Sequence, residues 1–256
     1  MTALITIDET DFARRVLRST LPVVALFGAP DCAASQAMQA ALAGLAARYA
    51  GRLTLAALSP EAAPLLAEQC CIPALPTLAV FRYGEEQVRA VGFLPGGLLE
   101  LLCQQAADAT LPRERFWSPT EAVFEDVVVI PLIQSWGLSY RRQVHCAPVG
   151  GRGRAGVVDL LLEETEGGQA LSLFENKRLF RTPRDIQPAA NQAARYARAL
   201  GLPSFVVADP SAMRVYDWIG PHPRCLAVLS SLEIAQRPRA LRDLLTGLKE
   251  EGRRKK

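Results

Sequence analysis

The run Leu171-Ser172-Leu173-Phe174-Glu175-Asn176-Lys177 puts a carboxylate and an ammonium two residues apart inside an otherwise apolar segment. Strand side chains alternate faces, so Glu175 and Lys177 point the same way. Upstream, Val157-Val158-Asp159-Leu160-Leu161 is a second apolar run interrupted by one acid. A turn centred on Gly167 joins the two runs into a hairpin in which facing residue numbers sum to 334. Asp159 then faces Glu175 with Cβ atoms about 4.5–5.5 Å apart, and a slip of one residue breaks the pairing. Two facing carboxylates repel unless a cation lies between them. A few carboxylate oxygens, completed by water, are what Mg2+ or Mn2+ accepts. A lysine at the rim can orient or deprotonate an attacking water, or steady charge on a phosphate. The combination suits hydrolysis of a phosphodiester. The alternative is an ordinary cross-strand acid pair softened by Lys177.

These residues carry a resemblance. Asp159 followed by Glu175-Asn176-Lys177 resembles the D…E-x-K core of the PD-(D/E)xK nuclease superfamily, with Val158 where that family has proline. The segments "EAVFEDVVVIPLIQSWGL", "RGRAGVVDLLL", "FENKR", "QAARYARALGLPSFVVAD" and "MRVYDW" are similar in order and spacing to the N-terminal nuclease domain of type I restriction enzyme R subunits, over about 118–220. The resemblance implies a Mg2+-dependent (or Mn2+-dependent) DNA endonuclease with a restriction-endonuclease-like α/β core. It implies Glu121, Asp159 and Glu175 as metal ligands, Lys177 as the catalytic lysine, and Gln192 with Tyr196 as DNA contacts. Arg152, Arg154 and Arg178 add guanidinium groups suited to phosphate oxygens, as do Arg181, Arg184, Arg195 and Arg198. Other roles stay open. Glu121 stands three residues after Ser118, which also spells a capping box, and Glu125 is then the substitute ligand. Gln192 and Tyr196 stand four apart, which also describes a plain helix-surface pair. A non-catalytic nucleic-acid-binding or adaptor protein is the competing reading, and His145 and His222 read as structural or surface residues.

The elements that position these residues begin at Ser118, read as an N-cap with Pro119 in the first helical position. Pro131 should kink or end that helix. The C-terminal segment reads as helix after a break at Pro238, ending in the basic "KEEGRRKK", which adds a sequence-independent attraction for nucleic acid.

The first part of the chain reads differently. Strand-like "LITI", "LPVVALF", "RLTLAAL" and "PTLAVFRYGEEQVRAVGFL" alternate with helical "DETDFARRVLRS", "CAASQAMQAALAGLAARYAG", "PEAAPLLAEQC" and "PGGLLELLCQQAA". The order is βαβαβαββα. That order resembles thioredoxin, as do "PVVALFGAPDCAASQAM" and "IPALPTLAVF". The resemblance covers about 4–106 and implies a cis-proline at Pro76. It also shows an altered redox centre. The family's two cysteines fall on Cys32 and Ser35, its Gly-Pro on Ala33-Ala34, its tryptophan on Asp31 and its buried acid on Leu26. A dithiol cycle needs a resolving thiol, which Ser35 cannot supply. The domain is thus expected to be redox-inactive and to dock a protein partner. The alternative is a monothiol redox role through Cys32, whose pKa a helix N-terminus lowers.

The expected organisation is α/β in two domains: a thioredoxin-like domain over 1–106, a linker over 107–117, a nuclease-like domain over 118–235, and a C-terminal helix with basic tail over 236–256. Charge divides similarly. Residues 1–108 hold seven Arg, no Lys and ten acids, and residues 109–256 hold 22 basic and 16 acidic residues. A basic half favours an anionic partner such as nucleic acid. No apolar run reaches the roughly 18–20 residues that span a bilayer, and "MTALITIDETDF" is not a secretory leader, so a soluble, cytoplasmic location is expected. The six cysteines form no C-x-x-C pair, which argues against a structural zinc site.

Overall fold

The computed structural model describes residues 4–146, 156–180, 182–218 and 222–254. The chain divides into two compact units, Met1–Ser118 and Pro119–Lys256.

The first unit runs β1 (Ile5–Thr6), α1 (Glu9–Phe12), a π-helical turn (Ala13–Leu17), β2 (Val23–Phe27), α2 (Ala33–Leu45), β3 (Thr54–Leu58), α3 (Pro64–Gln69), β4 (Thr77–Arg82), β5 (Glu85–Val91) and α4 (Gly96–Asp108). Its sheet has the order β1-β3-β2-β4-β5. β1, β2 and β3 are parallel, β4 runs against them, and β5 turns back antiparallel to β4 as the second arm of a hairpin. The expected βαβαβαββα order holds. β2 is buried along its whole length, as a central strand covered on both faces must be. The tight β4–β5 turn uses two left-handed residues, Tyr83 and Gly84, which matches the twist of a two-residue hairpin. The Leu75–Pro76 bond is cis, as expected. α2 ends earlier than its Ala-rich sequence implies, with C-cap Ala46. Residues 107–117, expected as a linker, complete α4 and then return to the sheet. Arg89 donates its N–H to Arg115 O (2.8 Å), Trp117 donates its N–H to Arg89 O (2.7 Å), and the buried Trp117 ring donates Nε1–H to Gln105.

The second unit runs α5 (Glu121–Phe124), a π-helical turn (Glu125–Val129), α6 (Ile130–Ser135), β6 (Ser139–Cys146), β7 (Gly156–Glu163), β8 (Ala170–Asn176), a 3-10 turn (Pro183–Asp185), α7 (Ile186–Ala199), β9 (Ser204–Asp209), β10 (Ala212–Trp218), β11 (Pro223–Ser230), α8 (Ser231–Gln236) and α9 (Arg239–Arg254). The N-cap of α5 is Thr120, whose hydroxyl accepts the Val123 N–H, so the expected start at Ser118 shifts by two residues. Both hydroxyls are competent caps, and Pro119 lies between them. Pro131 lacks an N–H and its ring crowds the carbonyl four residues back. The wider π turn directly precedes it. α9 begins just past Pro238, as expected.

The sheet order is β11-β10-β9-β8-β7-β6. All neighbours are antiparallel except β8 and β9, whose crossover is α7. Ala189, Ala190, Ala193, Ala194 and Ala197 of α7 are buried against Val158, Leu161, Leu173, Phe205 and Val207. Alanine is the best helix former, and its small side chain lets the helix sit close to the sheet.

Candidate functional site

Two sites emerge, one in each unit. In the first, Cys32 is the N-cap of the 13-residue α2, with extended backbone angles. Its partly exposed thiol has its pKa lowered, first by the Ser35 hydroxyl, then by the backbone N–H groups of Ser35 and Ala34. The Asp31 charge opposes this. Ser35 is buried, and its Oγ also accepts the Ala29 N–H at 3.2 Å. The hydroxyl can do so only because residue 28 is glycine: a Cβ there would stand 2.9 Å from Ser35 Cβ. Leu26, on the strand leading into this turn, is buried and leaves no carboxyl beneath the thiol. The arrangement stabilises a thiolate and supplies no second sulfur to resolve a mixed disulfide.

In the second unit the inferred hairpin register holds. Leu160 pairs with Phe174, Leu161 with Leu173 and Leu162 with Ser172, each summing to 334. The turn closes at left-handed Gly167, whose N–H binds Glu163 Oε2 at 3.1 Å. One step beyond the ladder, Asp159 Oδ2 accepts the Asn176 N–H at 2.7 Å. On the other side, β8 pairs Glu175 with Val207 of β9. Glu175 is 1% exposed. Its Oε1 accepts from Lys177 Nζ at 2.7 Å, and its Oε2 is buried without a partner. Burial first, then the neighbouring Asp159 charge, pushes its pKa up to about 7. Asp159 is raised as well, mainly by burial. For Lys177, burial pulls down, but the hydrogen bond and charge of Glu175 and the charges of Glu121 and Asp159 outweigh it, and its pKa rises.

Glu121 is exposed at the first position of α5. Its charge reaches Asp159, Glu175 and Lys177, and its Oε1 accepts the Arg178 N–H at 3.2 Å. The three acids expected as ligands therefore occupy one neighbourhood. As the side chains stand, each spends one oxygen on a protein donor, two of them on backbone amides. Among the described residues, no group of three or more His, Cys, Asp or Glu side chains is arranged to hold a metal ion. Convergence into a ligand cage is thus not present. The donor chemistry still suits Mg2+, because Glu175 Oε2 is an orphaned oxygen beside a second carboxylate.

Gln192 and Tyr196 share one face of α7, with Gln192 Nε2 donating to Tyr196 Oη at a long 3.4 Å. Tyr196 packs on the α7 core and lies over Gly156 of β7, where a Cβ would stand 2.1 Å from its ring. This places it near the start of the strand that carries Asp159. The Arg178 side chain is exposed. Arg152, Arg154 and Arg181 lie outside the described residues. His145 and His222 are exposed.

Three residues that sequence reasoning missed serve this region. Asn176, 1% exposed, donates Nδ2–H to Glu125 Oε2 at 2.8 Å. Arg142 stands 2.7 Å from Glu125 Oε1, an ion pair without hydrogen-bond alignment, and 2.8 Å from Asp126 Oδ1. Glu125, the substitute ligand, is thereby engaged elsewhere, and burial raises its pKa. Asp209, fully buried, binds the N–H groups of Phe180, Ser211 and Ala212 and fixes the loop after Lys177. Charged or polar residues at strand ends were the available signal, and their partners lie too far along the chain to be read from spacing.

No helix among the described residues is long and apolar enough to cross a membrane. The thioredoxin family model matches residues 3–103. Thioredoxin from Synechocystis sp. is 30% identical over 95 residues, covering 37% of this chain and 89% of that protein. Thioredoxin 1 from Nostoc sp. is 28% identical over 95 residues, again 37% and 89%. The chloroplastic M-type thioredoxin of Spinacia oleracea is 29% identical over 93 residues, 36% of this chain and 51% of that one. The chain thus spans about half the length of this chloroplast relative and most of the length of the other two. A cis-proline just before β4 and a helix capped by cysteine, on a β1-β3-β2-β4-β5 sheet, agree with those likenesses: through its first unit, the chain belongs to the thioredoxin family.

Proposed function

We propose that the first unit acts in thiol–disulfide exchange as a monothiol, forming mixed disulfides between Cys32 and a protein partner. The carrying observation is the position of Cys32 as the N-cap of α2, partly exposed and next to the buried Ser35, whose hydroxyl and N–H lower the thiol pKa. The thiolate attacks one sulfur of a partner disulfide, forms a Cys32–S–S–R bond and expels the other sulfur as a thiolate. Ser35 cannot attack in turn, so the adduct persists until an external thiol resolves it. Residue-resolved alkylation at pH 7 tests this. Cys32 is expected to label faster than the exposed Cys71 and Cys225, and Ser35→Ala is expected to remove that advantage. Equal rates at the three thiols would refute the reading.

A second reading concerns the other unit and is favoured by the buried Glu175, which lies beside Asp159 and Lys177 and leaves one carboxylate oxygen without a partner. In it, the unit hydrolyses DNA phosphodiesters with Mg2+ or Mn2+. Support comes from the β7–β8 register, the α7 crossover and the α5 carboxylate, which match the arrangement implied by the PD-(D/E)xK resemblance. Asp159, Glu175 and a reoriented Glu121 would hold the ion, which when bound supplies a Lewis acid to the phosphate. Lys177, raised in pKa, remains an ammonium. It suits orienting water and steadying phosphate charge rather than abstracting a proton. Gln192, Tyr196 and Arg178 would position the strand. Supercoiled plasmid incubated with Mg2+ or Mn2+ is expected to be nicked by the native chain and left intact by Lys177→Ala. Equal nicking by both would exclude this site.

A further inference from the structure

The residue between the two charges of the Glu175-Asn176-Lys177 run has its own task. Glu175 and Lys177 point to one face of β8, and Asn176 points to the other. There its amide meets Glu125, while its backbone N–H holds Asp159 on the neighbouring strand. Two residues further, the Arg178 N–H holds Glu121. Glu121 opens α5 and Glu125 opens the π-helical turn that follows it, while Asn176 closes β8 and Arg178 stands in the bend just past it. Glu121 and Glu125 thus meet Arg178 and Asn176 as two rungs between the helix start and the strand end. The lower rung is buried and unexposed to competing water: Glu125 and Asn176 are 3% and 1% exposed. Arg142 neutralises Glu125 from the far side.

Building on the second reading above, we propose that Asn176 is a positioning residue: it clamps α5 to β8 and so sets where the Glu121 carboxylate stands relative to Asp159 and Glu175. It acts through Glu125 and the backbone and touches no substrate. Neither Glu125 nor Asn176 is a metal ligand in this arrangement. They form the support that lets an exposed side chain at a helix start reach the strand-borne acids repeatedly in one place.

The test reverses the polarity of the clamp. Asn176→Asp sets two carboxylates against each other, and Glu125→Gln combined with Asn176→Asp restores one donor and one acceptor in the opposite sense. The readouts are the Mg2+ concentration giving half of the maximal rise in melting temperature and, separately, the Mg2+ concentration giving half-maximal plasmid nicking. Asn176→Asp is expected to raise both by about tenfold or more, the range seen for residues that orient metal ligands. The double variant is expected to return most of that loss. Should Asn176→Asp fail to fold, Asn176→Ala removes the rung without repulsion and is expected to shift both readouts in the same direction. Variants that are merely less stable, with unchanged half-saturating Mg2+, overturn the proposal. So does a folded double variant without recovery. A native protein whose melting is indifferent to Mg2+ removes the second reading and this proposal with it, whereas a native response that Asn176 variants leave intact removes the proposal alone.

Discussion

Glu175→Gln should change how the second unit's stability depends on pH. In the folded chain the Glu175 pKa rises from 4.5 to about 7. Between those values the native state keeps a proton that the unfolded chain has lost, so stability falls as pH rises through the interval. The group is almost fully buried, and a shift of that size corresponds to about 3 kcal/mol at 1.36 kcal/mol per unit, an upper value because Lys177 relaxes with it. The loss is complete above pH 7 and absent below about pH 4.5. Asp159 and Glu125 are raised too and contribute with the same sign, so native and variant must be compared at each pH. Urea unfolding at pH 5 and pH 8, followed by tryptophan fluorescence in a Trp117→Phe background, isolates the second unit, because Trp117 belongs to the first. The native unit is expected to lose about 2–3 kcal/mol more than Glu175→Gln between the two pH values. Parallel pH profiles for the two proteins would show that burial does not hold a proton on Glu175 in the native state.

Three further outcomes are expected. Ser35→Cys restores a second sulfur one helical turn from Cys32 and should confer dithiol reduction of insulin disulfides, read as turbidity, where the native chain shows none. At pH 8, Mg2+ at about ten times its dissociation constant should stabilise the second unit by about 1.4 kcal/mol, with a smaller gain at pH 5 and none in Glu175→Gln, measured by differential scanning calorimetry. Ala193→Leu, placed in the fully buried seam between α7 and the sheet, should cost about 1–3 kcal/mol by overpacking, seen as a lower urea midpoint.

Local patterns recorded in the chain proved readable. The Gly167 turn fixed a register that three observed pairs obey, and the βαβαβαββα order needed only strand and helix periodicity. Pro238 marked the start of α9. What escaped was information carried by distant partners. Asn176 finds Glu125 across 51 positions, and nothing near either residue names the other. Thr120 and Ser118 are equally good caps in isolation, and only the folded chain shows Thr120 accepting the Val123 N–H. The acids of the second unit were legible as neighbours but not in their partners: backbone amides of Arg178 and Asn176, which every sequence possesses, occupy oxygens that the sequence left open for a cation.

The return of residues 115–117 to β5 has a practical consequence for anyone dividing the molecule. A fragment cut at Asp108, where α4 ends, would uncover the Arg89 main-chain groups that now bind Arg115 and Trp117, and would leave the pocket of the Trp117 ring vacant. Bare strand borders recruit other strands. Such a fragment should self-associate, while one ending at Ser118 carries its own selvedge and should stay monodisperse.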